Sequence, residues 1–127
     1  MKIIKKIQKN LSFILPKELT DRVEKNNLDT IEWIIDYNRD IVKIKLVKKI
    51  RKTPYDKHAN DVTTFGRNIY TQYMVNIPNQ VCEFLECGKL DDILIIIEED
   101  DVIVEPFKKA GLDALSALIS DEGGEKS

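Results

Sequence analysis

Few residues in this chain of 127 carry reactive chemistry: one histidine, His58, and two cysteines, Cys82 and Cys87. They make three potential metal ligands, at no spacing that zinc sites use. The thiols stand five apart, which is neither a CxxC pair nor a disulfide framework, so reduced thiols in a cytoplasm are expected. Cys82 falls on the apolar face of a predicted helix, with no histidine–carboxylate pair to activate it as a nucleophile. The acidic run Glu98-Glu99-Asp100-Asp101 lacks the spaced oxygens and the glycine of a calcium loop and reads as a solvated hairpin turn. The five glycines form no phosphate-binding loop. No constellation supports catalysis, so the sequence predicts a protein that is not an enzyme and needs no cofactor.

The basic residues are better placed to act. The formal net charge of −2 hides a strong polarity. Residues 1–58 hold 15 Lys and Arg against 8 Asp and Glu, a balance of +7, and residues 59–127 hold 5 against 14, a balance of −9. Such asymmetry points to a first half that faces a polyanion. The plain alternative is that the two halves attract one another. Lys48, Lys49, Arg51, Lys52 and Lys57 crowd around Pro54 and could neutralise phosphates in a salt-sensitive way, or could simply solvate a linker. Nothing here spans a membrane as a helix: the longest apolar run, Ile93-Leu94-Ile95-Ile96-Ile97, falls far short of the roughly 20 residues needed. Lys2, Lys5, Lys6 and Lys9 interrupt the first ten residues, which therefore hold no signal-peptide core. A cytoplasmic location is expected.

The elements that must position these cations repeat. At an offset of 62, Leu15-Pro16 falls on Ile77-Pro78, Leu19 on Val81, Val23 on Leu85 and Leu28-Asp29 on Leu90-Asp91. Ile31, Trp33, Ile34 and Ile35 then fall on Ile93, Ile95, Ile96 and Ile97. With Glu24 on Glu86 and Asp36 on Glu98, 12 of the 22 positions from Leu15 to Asp36 match in kind, too many for chance. Within each half, a strand (near Ile3–Ile7, and again near Asp61–Phe65) precedes an extended run, Leu11–Leu15 or Tyr70–Ile77. Proline then opens a short helix, where its missing N–H costs nothing. Asn26-Asn27 ends the first helix and Gly88 is expected to close the second. Hairpins follow, Ile31–Tyr37 with Val42–Val47 and Ile93–Ile97 with Val102–Val104. Trp33, Phe13 and Phe84 fall on apolar stripes and belong to a core rather than to a base-stacking platform.

Each half therefore reads β-β-α-β-β, with an apolar-Pro step opening the helix. That order resembles the AbrB/MazE/SpoVT swapped-hairpin family, through Leu15-Pro16-Lys17-Glu18-Leu19, Val75-Asn76-Ile77-Pro78 and the looser Gly88-Lys89-Leu90-Asp91-Asp92. The first half lacks the loop glycine. The resemblance implies a mainly β chain with short helices, whose tandem units form a swapped-hairpin barrel as an intramolecular pseudo-dimer or as a dimer of chains. Its divisions are a first unit at 1–48, a basic linker at 49–60, a second unit at 61–107, and a short C-terminal helix with tail at 108–127. About 60 residues alone make a marginal core, so pairing of the halves has a physical motive.

The same resemblance implies double-stranded DNA as partner and a role in transcription regulation or chromatin. Carried onto matching positions, it implies contacts from Lys6, Lys9, Lys17 and Arg22 in the first unit, and from Arg67 of Gly66-Arg67-Asn68 in the second. Asn79, Gln80 and Glu83 stand where the second unit's helix should be basic. To these the charge pattern adds Lys48, Lys49, Arg51 and Lys52. The alternative is a protein-interaction module, an antitoxin-like protein or assembly adaptor without DNA binding. It would use the acidic second half and the C-terminal helix (Leu112, Leu115, Leu118 and Ile119 at helical spacing) against a protein partner or a second copy.

Overall fold

A computed structural model describes residues 1–49 and 52–107. Arg51 and the C-terminal helix expected beyond Phe107 lie outside the described residues. The chain is mainly β. Its strands are β1 (Lys2–Lys6), β2 (Ser12–Ile14), β3 (Thr30–Asp36), β4 (Ile41–Val47), β5 (Tyr55–Ala59), β6 (Val62–Asn68), β7 (Met74–Asn76), β8 (Asp92–Ile97) and β9 (Val102–Pro106). Two short helices, α1 (Lys17–Asn26) and α2 (Asn79–Leu85), follow Pro16 and Pro78. Seven strands form one antiparallel sheet in the order β1-β8-β9-β4-β3-β6-β5, and β2 pairs separately with β7.

The pairings cross between the halves. β1 lies antiparallel to β8 with Lys6 opposite Asp92, and β6 lies antiparallel to β3 with Asn68 opposite Thr30. Adding 62 to 6 gives 68 and subtracting 62 from 92 gives 30, so the two registers are the same. Each half's first strand thus lines the other half's hairpin. β2 meets β7 with Phe13 opposite Val75, and β4 meets β9 with Val42 opposite Val104. Both pairs are again 62 apart, so an internal pseudo-two-fold axis passes through each.

Backbone hydrogen bonds repeat at the same offset. Ile7 N donates to Asp91 O at 2.8 Å, and Ile69 N to Asp29 O at 3.0 Å. Leu15 N donates to Tyr73 O at 3.0 Å, and Ile77 N to Leu11 O at 2.8 Å. Leu11 and Tyr73, themselves 62 apart, both take a left-handed conformation, with φ of 57° and 62°. The turns they close, 8–11 and 70–73, share no sequence likeness.

One core serves both halves. Ile31, Trp33 and Ile35 of β3 and Ile93, Ile95 and Ile97 of β8 are buried, as their alternation requires. Trp33 and Ile95 are both fully covered, and Trp33 packs edge-on against Phe13 at 6.0 Å. Leu19 and Val23 of α1, with Val81, Cys82 and Leu85 of α2, close over this core.

Four details depart from the sequence pattern. Gly88 does not close the second helix: Glu86 takes the left-handed cap, at φ 55°. Cys87 N then donates to Cys82 O, just as Leu28 N donates to Val23 O beyond the Asn27 cap of α1. The run Tyr70–Ile77 is not extended throughout, since a 3-10 turn occupies Thr71–Tyr73 before β7. Ser12, whose alternation with Leu11, Phe13 and Leu15 predicts an outward side chain, is buried and donates to Asn10 Oδ1. Finally, β5 arises inside the stretch read as linker. It is held because Gly66 lacks a side chain and the Tyr55 ring lies where a Cβ would stand.

Candidate nucleic-acid interface

The expected contact residues fall into three places. Lys6 ends β1 and Lys9 sits in the turn that follows, where Lys5, Lys6 and Lys9 line an open groove of about 660 Å³ with Ile4, Ile14 and Leu90. Lys17 and Arg22 lie on α1. Arg22 faces a smaller cleft of about 410 Å³ that it shares with Asn26, Lys45 and Asp100. Lys48 and Lys49 leave β4, Lys52 precedes β5, and Arg67 lies near the end of β6.

The bonds that these cations make rank them. Lys9, Lys48 and Lys52 make no ion pair among the described residues. Lys6 Nζ is 3.2 Å from Asp92 Oδ1 and donates to Leu90 O, yet its side chain stays mostly in water. Lys17 donates to Asp21 Oδ2 at 2.9 Å, and this hydrogen bond, with the carboxylate's charge, raises the ammonium pKa. An exposed pair of this kind is weak and yields readily to a phosphate. Arg22 Nη2 donates to Glu98 O at 3.1 Å. Arg67 is the most committed: Nη1 reaches Asp56 Oδ1 at 3.0 Å, Tyr55 O at 3.2 Å and Gly66 O at 2.9 Å, with the guanidinium over Phe65.

Some of the charge polarity serves to join the halves. Lys6–Asp92 and Lys43–Asp101 both cross between them, as does the Arg22 bond to Glu98 O. Tyr73 Oη also donates to Glu24 of α1, and this bond, with burial, raises the phenol pKa. Subtracting those contacts still leaves Lys2, Lys5, Lys9 and Lys48 without ion pairs among the described residues.

The reactive side chains are dispersed. His58 lies exposed on β5 with Nδ1 2.7 Å from Thr63 Oγ1. Cys82 lies on the buried face of α2, and burial with the neighbouring Glu83 raises its pKa. Burial pushes the Cys87 thiol up to about 11, with smaller contributions from Cys82 and Asp91. Among the described residues no three or more His, Cys, Asp and Glu cluster as a metal site would need, and no helix is long and apolar enough to cross a membrane. Phe13 and Trp33 are core residues, while Phe84 is half-buried and stacks edge-on with Tyr37 at 5.9 Å.

The sequence pattern places Lys5 among the basic residues around the first hairpin without assigning it a contact, and it singles out neither Lys2 nor Lys45 of the α1 cleft. The alternation of Lys43 and Lys45 along β4 was a signal for the latter, while Lys2 and Lys5, three apart on β1, follow no alternation. Comparison with family models, curated proteins and solved structures returns no match.

Proposed function

We propose that the chain is a DNA-binding regulator of the AbrB/MazE/SpoVT type, with two β-β-α-β-β units exchanging hairpins inside one polypeptide. The observation that carries this proposal is the crossed pairing, in which β1 lines β8 and β6 lines β3 in one register. It supports an intramolecular pseudo-dimer, because each unit's hairpin is completed by the other unit's first strand.

Duplex binding is assigned to the first unit. Lys6 and Lys9 border the groove at the β1–β2 turn, and Lys17 and Arg22 add two cations on α1. At the equivalent positions, 62 residues on, the second unit has Asn68, Thr71, Asn79 and Phe84. Its one equivalent cation, Arg67, is engaged by Asp56. Contact is therefore one-sided, and phosphate neutralisation dominates it, a sequence-independent term that weakens with salt. Lys48, Lys49 and Lys52 add to the same charge from the end of β4.

Fluorescence anisotropy of a labelled random duplex at two salt concentrations tests this. Binding that weakens steeply at the higher salt is expected. No affinity at the lower salt removes the DNA role and leaves the protein-interaction module. That second function is favoured by the three cross-half contacts that already occupy Lys6, Lys43 and Arg22.

A further inference from the structure

Among the described residues the pseudo-two-fold symmetry is broken at one place on the sheet. β6 and β1 are equivalent strands, yet among those residues β6 carries β5 along its outer side while β1 ends the sheet. Ile97 N donates to Met1 O and Ile7 N to Asp91 O, both at 2.8 Å. Bonded partners alternate along an antiparallel pair, so the odd residues of β1 turn to β8. Lys2, Ile4 and Lys6 then present their N–H and C=O groups to the open edge. Their equivalents, Thr64, Gly66 and Asn68, face β5, and the contrast in exposure follows: Thr64 is 7% exposed and Gly66 is buried, but Ile4 is 50% exposed. Leu90 and Ile14, at 54% and 38%, extend the uncovered apolar surface along the groove.

We propose that the β1 edge is a docking site for an extended, acidic segment of a protein partner, added antiparallel as an eighth strand. The strand seated on the equivalent edge supplies the template. Tyr55 stands opposite Gly66, and Asp56, the next residue, pairs with Arg67 at 3.0 Å. Subtracting 62 puts Ile4 at the place of Gly66 and Lys5 at that of Arg67. The docked segment therefore needs a small residue opposite Ile4, whose side chain fills the space that the Tyr55 ring takes over Gly66. An acidic residue follows to meet Lys5, and a second acidic residue stands opposite Lys2, at the place of Lys57 opposite Thr64. Lys2 and Lys5 make no ion pair among the described residues and are available to it. The same lysines disfavour a second copy of β1 here, since like charges would oppose one another across the pair. This site borders the groove proposed for DNA, but it uses backbone groups that phosphate contacts do not need.

The test uses the full chain and a capped peptide, Val-Thr-Ala-Asp-Glu-Val-Thr, with a version carrying Lys-Lys for Asp-Glu as control. Amide exchange followed by NMR should slow at Lys2, Ile4 and Lys6 with the acidic peptide and not with the control. Ile4→Pro removes only a donor that faces the open edge, a position where proline is tolerated. It should melt near wild type and bind the peptide at least about fivefold more weakly, the loss of one net hydrogen bond. Lys5→Glu should remove most of the preference between the two peptides, since Lys2 still faces the second position. The proposal fails if millimolar acidic peptide leaves β1 unaffected, or if Ile4→Pro binds it as wild type does. It also fails if the three amides are already protected in the free chain, which would mean that this chain's own residues or a second copy cover the edge. A duplex that perturbs them while the peptide does not would assign the edge to nucleic acid and overturn it as well.

Discussion

Replacing Trp33 by alanine tests the register on which the shared core depends. Trp33 is fully buried on β3, opposite Ile44 of β4 and Phe65 of β6, and meets the Phe13 ring edge-on at 77°. Truncating a buried tryptophan costs about 3–5 kcal/mol in transfer and cavity terms. Its indole Nε1 is buried without a hydrogen-bond partner among the described residues. Leaving such a donor unpaired already costs about 1–3 kcal/mol, which alanine relieves. The net loss should therefore lie near the lower end, about 3 kcal/mol. For a domain of this size that corresponds to a fall in Tm of roughly 10–15 °C. Trp33→Phe keeps a ring against Phe13 and discards the orphaned N–H, so it should stay within about 1 kcal/mol of wild type. Since Trp33 is the only tryptophan, far-UV circular dichroism rather than fluorescence must follow the melts. A Trp33→Ala protein that melts within a degree or two of wild type would refute the register. A Trp33→Phe protein as unstable as the alanine variant would show that the indole N–H has a partner.

Three other perturbations probe local features. Glu86→Gly relieves a left-handed cap that costs an L-residue roughly 1–2 kcal/mol, so it should raise stability by about 1 kcal/mol in urea denaturation; a loss would place the end of α2 elsewhere. Gly66→Ala forces the Tyr55 ring away from its seat and from Glu32, so amide exchange should accelerate across β5 while β3 and β8 stay protected; unchanged exchange in β5 would contradict the contact. Burial pushes the Cys87 pKa above the ordinary thiol range, to about 11, so the folded state holds its proton more tightly than the unfolded state. Its stabilising contribution is complete below about pH 9 and is lost as pH rises toward 11, so melting temperature should fall across that window less steeply in Cys87→Ala. Equal slopes in the two proteins would refute it.

Much of the fold is legible in the residues because its signals are local. The apolar-Pro steps at Pro16 and Pro78, the i, i+4 stripe of Leu19 and Val23, and the alternation through Ile31, Trp33 and Ile35 each reflect one element's own geometry. Pairing between strands is not local, and periodicity alone cannot say that β1 seeks β8 rather than its own hairpin. β5 was illegible for a different reason. Tyr55–Ala59 has no apolar alternation and is mostly exposed, so its strand character depends on Gly66 and Glu32, which lie on other strands. The turns 8–11 and 70–73 repeat only in backbone hydrogen bonds, which leave no side-chain trace. At the interface the cations could be read as cations, but not how far each is engaged. Arg67 looks as free as Lys9 in sequence, yet Asp56 and the Tyr55 and Gly66 carbonyls hold it.

The central claim, that a one-sided basic face on the first unit holds duplex DNA, is tested most directly by how affinity depends on salt. The logarithm of the binding constant falls with that of salt by about 0.9 for each phosphate neutralised. Replacing Lys6, Lys9, Lys17 and Arg22 together by glutamine removes up to four such contacts, so the slope should flatten by about 2–4 and affinity should drop. Arg67→Gln, which removes a side chain already held by Asp56, should change the slope by less than about 1. A fourfold variant with the wild-type slope, beside an Arg67 variant that loses binding, would contradict the assignment.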